Sequence, residues 1–191
     1  MKANRVRIIG GLWRSRQIAF PDRKDLRPTP DRVRETLFNW LGLDLSGKRC
    51  LDLYAGSGAL GFEAASRGAK QVVLVEHERA VCTALETSRA ALSASQVEVA
   101  RADALEFLRT DSGVYDVVFL DPPFADNPWA ALFERLPPRL APGALVYRES
   151  GDTQTAPEGW EMHRQGRAGQ VNYQLLKRTT HDDQGGLSRN V

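Results

Sequence analysis

Along most of the chain, short continuous apolar runs alternate with stretches of helical periodicity. Cys50–Tyr54, Val72–Glu76, Val97–Ala100 and Tyr115–Asp121 read as buried strands, and Ala59–Arg67, Glu78–Ala94 and Ala104–Arg109 between them carry apolar residues at helical spacing. Strands and helices in strict alternation predict βαβ units on a parallel sheet with right-handed crossovers. A further helix over Trp129–Leu136 leads to a strand over Ala144–Glu149. Glu161–Arg164 and Val171–Arg178 have no helix between them, so an antiparallel pair at the sheet edge is expected.

The first forty residues follow a different pattern. Val6–Ile9 and Gln17–Phe20 predict a hairpin around Gly10-Gly11, followed by the proline-punctuated Arg27-Pro28-Thr29-Pro30. Thr29 suits a helix N-cap with Pro30 in the first turn; Val33, Leu37, Phe38, Trp40 and Leu41 then form an apolar stripe that stops at Gly42. The expected organisation is an N-terminal extension over 1–44, an α/β domain over 45–178 and a frayed polar tail over 179–191.

Composition adds exclusions. The 191 residues are 42% hydrophobic and 26% charged, enough apolar material for one globular domain with an appendage. No apolar run approaches the roughly 20 residues of a membrane helix, and the N-terminus lacks the apolar core of a signal peptide, so a cytoplasmic location is expected. Cys50 and Cys82 form no CxxC pair, and His77, His163 and His181 are scattered, so neither a disulfide framework nor a metal site is expected.

Net charge is +2, but unevenly distributed. Residues 1–40 contain ten Lys and Arg against four Asp and Glu, a net +6, leaving −4 for the rest. Eight of the ten cations are arginine, whose planar fork matches phosphate oxygens, and Trp13 and Phe20 lie among them. Such a segment fits either a solvated face or a nucleic-acid contact.

Asp52-Leu53-Tyr54-Ala55-Gly56-Ser57-Gly58-Ala59-Leu60-Gly61 runs from a strand through a glycine-rich turn into a helix, and formally satisfies GxGxxG. That turn sits where doubly wound folds bind nucleotides, and the spacing alone admits a dinucleotide or S-adenosylmethionine. Asp52 discriminates: a carboxylate at the strand end repels a diphosphate but helps hold an ammonium, so the methionine moiety is favoured. Glu76 closes the next strand, placed to accept from both ribose hydroxyls. Asp103, followed by Ala104, is placed either to accept from an adenine amine or to cap a helix.

Asp121-Pro122-Pro123-Phe124 follows a buried strand and matches the (Asp/Asn/Ser)-Pro-Pro-aromatic signature of amino-group methyltransferases. An exocyclic base nitrogen is a poor nucleophile because its lone pair is conjugated with the ring. The Asp121 carboxylate and the Pro122 carbonyl can accept its two N–H bonds, turn the lone pair toward a methyl carbon and stabilise the positive charge developing on nitrogen. Consecutive prolines fix a rigid turn, and Phe124 offers a π-face on which a base can stack. The base must leave its own stack to reach this loop, and Arg14, Arg16, Arg27, Arg32 and Arg34 are candidates to hold the backbone around it.

With these motifs in place, the chain resembles the RsmD-type 16S ribosomal RNA methyltransferases, which methylate guanine N2 in small-subunit RNA. The resemblance is carried most specifically by Arg7-Ile8-Ile9-Gly10-Gly11-Leu12-Trp13-Arg14 and by the segment from Leu26 to Leu41. It continues through the glycine turn and Asp121–Phe124 to Gly169-Gln170-Val171-Asn172-Tyr173. It implies a Rossmann-like class I fold with a seven-stranded, mostly parallel sheet and S-adenosylmethionine as donor. The turn from Asp52 to Gly58 with Glu76 and Asp103 would hold that donor, and Asp121–Phe124 the target base. It also implies a monomer acting on the small ribosomal subunit or an assembly intermediate. Three alternatives share some of these motifs: a DNA adenine or cytosine methyltransferase, for whose usual recognition domain the chain has little room; a protein-glutamine methyltransferase; and a dehydrogenase using Tyr173 and Lys177. The last is disfavoured, because four residues on a strand span about 13 Å.

Overall fold

The computed structural model describes the chain apart from residues 1, 2, 24, 25, 27, 124–126, 153 and 180–191. The expected Arg27 and Phe124 sites and nearly all of the tail therefore lie outside the described residues. The described part contains nine strands and five α-helices.

An antiparallel hairpin, β1 (Ala3–Arg7) and β2 (Gln17–Pro21), leads into α1 (Asp31–Leu41). The α/β part runs β3 (Arg49–Asp52), α2 (Ala59–Ser66), β4 (Gln71–Glu76), α3 (Arg79–Leu92), β5 (Val97–Arg101), α4 (Ala104–Thr110), β6 (Tyr115–Leu120), α5 (Trp129–Arg135), β7 (Leu140–Ser150), β8 (Trp160–Ala168) and β9 (Val171–Arg178). The seven-stranded sheet has the order β5-β4-β3-β6-β7-β9-β8. Pairs from β5 to β7 are parallel, while β9 runs antiparallel to both β7 and β8. The expected antiparallel edge pair is present, with β9 inserted one strand inside the edge. The chain builds outward from β3 toward β5 and then returns to start β6 on β3's other side, so β3 and β6 flank the topological switch point where such sheets open a crevice.

Central strands are apolar throughout because both faces are covered. Cys50, Val72, Leu74, Val117, Phe119 and Tyr147 face one apolar cluster with α1, α2, α3 and the hairpin. Leu51, Val73, Val75, Val118, Leu120 and Val146 face a second cluster with α4 and α5. Trp13 and Phe20 are buried in the first cluster, so their interleaving with arginines reflects core packing of the hairpin.

The start of α1 departs from expectation. Pro30 occupies the cap position with no side-chain hydrogen bond, and the Thr29 hydroxyl instead donates to Glu149 Oε1 at 2.9 Å. Pro30 is still extended, at ψ 147°, so the helix begins one residue later than expected and Thr29 falls outside the cap position, where its buried hydroxyl meets a carboxylate on a distant strand.

Candidate functional site

The glycine turn between β3 and α2 is shaped by close approach. Gly58 is the left-handed N-cap of α2, at φ +79°, where a Cβ would also press on Leu85 and Phe62. At Gly61 a Cβ would run into Leu74, so this position lets α2 lie directly on β4. Within the turn, Gly58 N–H donates to the Ala55 carbonyl at 2.6 Å, and the Ser57 hydroxyl accepts from Ala59 N–H at 3.3 Å.

Four acids stand at the carboxyl ends of four adjacent strands. In the order β4-β3-β6-β7, Glu76 ends β4, Asp52 ends β3, Asp121 follows β6 immediately and Glu149 is the penultimate residue of β7. Alternation along each strand puts all four on the face of the first apolar cluster: Asp52 two positions beyond Cys50, Glu76 beyond Leu74, Asp121 beyond Phe119, Glu149 beyond Tyr147. All four line one cavity of about 860 Å³, within the usual range for small-molecule sites.

Each acid is held differently. Glu76 accepts from Gly56 N–H at 3.2 Å through Oε2 and from Glu78 N–H at 2.9 Å through Oε1, which ties the carboxylate to the glycine turn. Asp52, 1% exposed, accepts from Gly61 N–H at 3.2 Å through Oδ2, while its buried Oδ1 has no partner among the described residues. Burial pushes the Asp52 carboxyl up to about 7, against the hydrogen bonds from Gly61 and Tyr54, and the charges of Glu76 and Glu149 push the same way. Asp121 is raised well above the usual carboxylate range by burial and then by Glu149 and Asp52. Glu149 is raised by burial, although hydrogen bonds from Tyr147 and Thr29 oppose the shift.

Sequence pattern does not single out Glu149. Its signal lies in the repeated placement of an acid where an apolar strand ends, but the pattern lacks the strand order that sets it beside Asp121. Leu120 pairs with Arg148 across β6 and β7, so Asp121 and Glu149 are the next pair beyond the register.

The remaining expected positions divide clearly. Tyr54, Ala55, Gly56, Ser57, Asp103 and Ala104 line the same cavity, as do Pro122 and Pro123, whereas Gly58 shapes the turn from behind. Asp103 caps α4: its Oδ1 accepts from Leu105 and Glu106 N–H at 2.9 and 3.0 Å, and Oδ2 remains for a ligand. Both readings of Asp103 are therefore compatible. Leu26, Pro28, Thr29 and Pro30 of the N-terminal extension also line the cavity, and Arg23, which joins them, forms an ion pair with Glu78 at 3.2 Å. The extension thus forms part of the wall.

Arg34 is a correction. Expected to hold RNA, it is completely buried, with Nε donating to the Thr29 carbonyl at 3.1 Å and Nη2 to the Arg7 carbonyl at 2.9 Å and to Asp31 at 2.5 Å. Its Nη1 reaches the fully buried Glu63 of α2 at 3.5 Å. Glu63 also accepts from Ile9 N–H and from Arg67, both at 2.8 Å. Arg34 fastens the extension to α2 and presents nothing to a phosphate; it stands three, four and seven positions before Leu37, Phe38 and Leu41, inside the apolar stripe of α1, and that spacing is the sequence signal of its burial, although it does not reveal the partner on α2. Arg14, Arg16 and Arg32 are exposed. Arg16 donates to the Ala91 carbonyl near the end of α3, and Leu12 N–H to Ser66, the last residue of α2. The hairpin tip therefore lies at the helix ends remote from the cavity, α3 alone spanning about 21 Å.

The unpartnered oxygen of Asp52, the backbone-anchored Glu76 and the volume between them fit a ligand with a cationic amino-acid end and a ribose, so the residues present suit S-adenosylmethionine. Among the described residues there is no cluster of metal-ligating side chains and no helix long and apolar enough to cross a membrane.

Comparison with known proteins agrees with this architecture. A ribosomal RNA small subunit methyltransferase D from Escherichia coli is 42% identical, the alignment covering 92% of this chain and 91% of the relative. The solved structure of yhhF from Escherichia coli superposes with a TM-score of 0.82 at 44% identity, covering 92% of this chain and 98% of that one. A more distant RNA methyltransferase from Salinibacter ruber, solved with S-adenosyl-L-homocysteine, shares the fold at a TM-score of 0.59 and 22% identity over 80% of this chain and 94% of that one. The family model described as conserved hypothetical protein 95 matches residues 6–177, from the first hairpin strand to the last strand of the sheet, and the chain belongs to that family.

Proposed function

We propose that this chain transfers a methyl group from S-adenosylmethionine to the exocyclic N2 amine of a guanine in 16S ribosomal RNA, within the small ribosomal subunit or an assembly intermediate. The observation that carries the proposal is the row of four acids opening on one cavity, with Asp121-Pro122 beside Asp52. The relative named for small-subunit RNA supports the substrate class, and the S-adenosyl-L-homocysteine held by the Salinibacter ruber protein, which is the donor without its methyl group, fits the donor.

S-adenosylmethionine supplies an electrophilic methyl group on a sulfonium. The chain's residues do the rest. Asp52 would offer its unpartnered oxygen to the ammonium of the methionine end, Glu76 would accept from the ribose hydroxyls, and the Oδ2 of Asp103 would accept from the adenine amine. Asp121 and the Pro122 carbonyl accept the two N–H bonds of the target amine, which turns its lone pair out of conjugation and sets it toward the methyl. With the donor bound, the amine nitrogen held in this way would take the methyl group from the sulfonium, and the proton it sheds would pass to Asp121, whose basicity burial has raised. Positioning of this kind supplies roughly 7–11 kcal/mol of barrier lowering. Phe124 completes the reading as the face on which the base stacks. The 1–44 extension provides the RNA contact through exposed Arg14, Arg16 and Arg32, over a footprint reaching from the cavity to the helix ends remote from it, and Arg27 is assigned to the same contact from the sequence.

The test is transfer of labelled methyl to small subunits lacking the modification, to naked 16S RNA and to duplex DNA, followed by mapping of the labelled nucleotide. Guanine N2 in subunit RNA is the expected product, with Asp121→Ala lowering turnover by at least about a hundredfold while cofactor affinity is kept. Label confined to DNA or protein, or full turnover in Asp121→Ala, would overturn the proposal.

A further inference from the structure

An Asp-Pro-Pro-aromatic loop holds an amine and nothing more. Adenine N6, cytosine N4 and guanine N2 all present two N–H bonds to it. The bases differ in the ring atoms flanking the amine: guanine alone carries a ring N–H there, at N1, with an acceptor at N3 on the other flank, while adenine N1 and cytosine N3 are acceptors and their other flank is a ring carbon. A site for guanine therefore needs a second acceptor beside the one that holds the amine, and a site for the other two needs a donor.

Glu149 stands at that position. It follows the Leu120–Arg148 pair on β7 as Asp121 follows it on β6, so their backbones are neighbours at the usual strand spacing of about 4.8 Å. Both side chains lie on the cavity face, and Glu149 contributes the largest charge effect on Asp121. Its orientation is locked. Oε1 accepts from the Tyr147 hydroxyl at 2.7 Å and from the Thr29 hydroxyl at 2.9 Å, leaving Oε2 for the cavity. Tyr147 is buried and its phenol is raised well above its ordinary range, so it stays a donor. The two hydroxyls come from opposite sides, one from β7 itself and one from the N-terminal extension, and neither contributes to the chemistry described above.

Resting on the methyl-transfer reading of the same cavity, we propose that Glu149 is the base-reading residue, its Oε2 accepting the N1–H of the target guanine while Asp121 and Pro122 accept from N2. The Thr29 and Tyr147 hydroxyls act as positioning groups that present this oxygen.

The proposal is tested with small subunits reconstituted from RNA that carries either guanine or 2-aminopurine at the methylated position. 2-Aminopurine keeps the N2 amine but has an acceptor at N1 in place of N–H and a hydrogen in place of the O6 carbonyl, so the change of ratio between the wild type and Glu149→Gln, which meet the same two bases, isolates the N1 contact. The wild-type enzyme is expected to favour guanine in kcat/KM by about a hundredfold or more, because a site built to accept a hydrogen bond rejects a base lacking the donor. Glu149→Gln supplies the converse. Its amide oxygen keeps the Tyr147 and Thr29 hydroxyls, which turns the NH2 group toward the cavity, and the preference is expected to reverse in favour of 2-aminopurine. A merely structural Glu149 would lower both activities together and leave the ratio unchanged. Wild-type use of the two bases within about threefold, or an unaltered ratio in Glu149→Gln that binds cofactor normally, would overturn the proposal. If Glu149→Gln does not fold, Thr29→Val and Tyr147→Phe, which remove the hydroxyls that orient Oε2, take its place: each is expected to narrow the ratio, and a ratio unchanged in both would overturn the proposal. Absence of any wild-type transfer to guanine N2 would instead defeat the proposed function, which separates the two failures.

Discussion

Replacing Arg34 by alanine tests whether an arginine in a basic segment serves RNA or the fold. The side chain is fully buried and donates to two backbone carbonyls, to Asp31 and to Glu63. Breaking a buried pair by removing one partner costs about 3–5 kcal/mol, since the other charge stays buried. Here Glu63 keeps Arg67 and Ile9 N–H, and Asp31 keeps Arg7 at 3.0 Å and is partly exposed, which argues for the lower end. The two carbonyls left without donors, and the volume vacated beneath α1, prevent the loss from being smaller. A destabilisation of about 3 kcal/mol is expected. With a urea dependence of about 2 kcal/mol per molar, the midpoint of unfolding should fall by about 1.5 M. Arg32→Ala, two residues away and exposed, should move it by less than about 0.3 M. Equilibrium urea unfolding followed by tryptophan fluorescence, including Trp13 and Trp40 in or against the affected core, reads both variants. A midpoint change below about 0.5 M for Arg34→Ala, or an RNA affinity loss in it without a stability loss, would refute the reasoning.

The raised acids give the ligand-free protein a pH dependence of defined sign. Asp52, pushed up to about 7, binds a proton in the folded state at pH values where the unfolded chain has released it. Stability should therefore decline as pH rises from about 4 to about 7, and Asp52→Asn should flatten that decline and stabilise the protein at pH 8; a steeper decline in the variant would contradict the assignment. Neutralising Arg14, Arg16 and Arg32 together should weaken RNA binding and lower its salt slope by about 0.7–0.9 for each phosphate that is no longer neutralised, with cofactor affinity unchanged; an unaltered slope in filter binding from about 50 to 200 mM salt would remove them from the interface. Gly61→Ala, whose Cβ would collide with Leu74, should lift α2 from the sheet and weaken cofactor binding through the Gly61–Asp52 hydrogen bond; wild-type affinity in calorimetry would show that α2 absorbs the change.

The extension is mounted directly on the walls of the cavity. Leu26 lies over the glycine turn, where a Cβ on Gly56 would approach its Cδ1 to 2.9 Å, and Arg23 pairs with Glu78 beside the cavity. Thr29, two residues before α1, reaches Glu149. Leu26, Arg23 and Thr29, between the hairpin and α1, thus reach both ends of the row of acids, so a displacement of these residues would act directly on the walls of the site.

The alternation of strands and helices, the antiparallel pair at the edge, the glycine turn and the loop after β6 are all legible in the sequence. Each rests on interactions among residues close in the chain: a strand covered on both faces must be apolar throughout, a left-handed turn selects glycine, and consecutive prolines stiffen a loop wherever they occur. Asp52, Glu76 and Asp121 are legible for the same reason, as polar residues ending apolar runs beside recognisable turns. The features that emerge only on folding depend on partners far apart in sequence. The Thr29 hydroxyl meets Glu149 across 120 positions, and the Arg34 guanidinium meets Glu63 across 29. The sequence reading assigns the first to a helix cap and the second to RNA; burial assigns both to carboxylates, because a charge or hydroxyl withdrawn from water must find its complement wherever the fold supplies one. Strand order does the same for Glu149. An acid at the end of the seventh strand has no meaning in the sequence until the sheet sets that strand beside the sixth, and with it Glu149 beside Asp121.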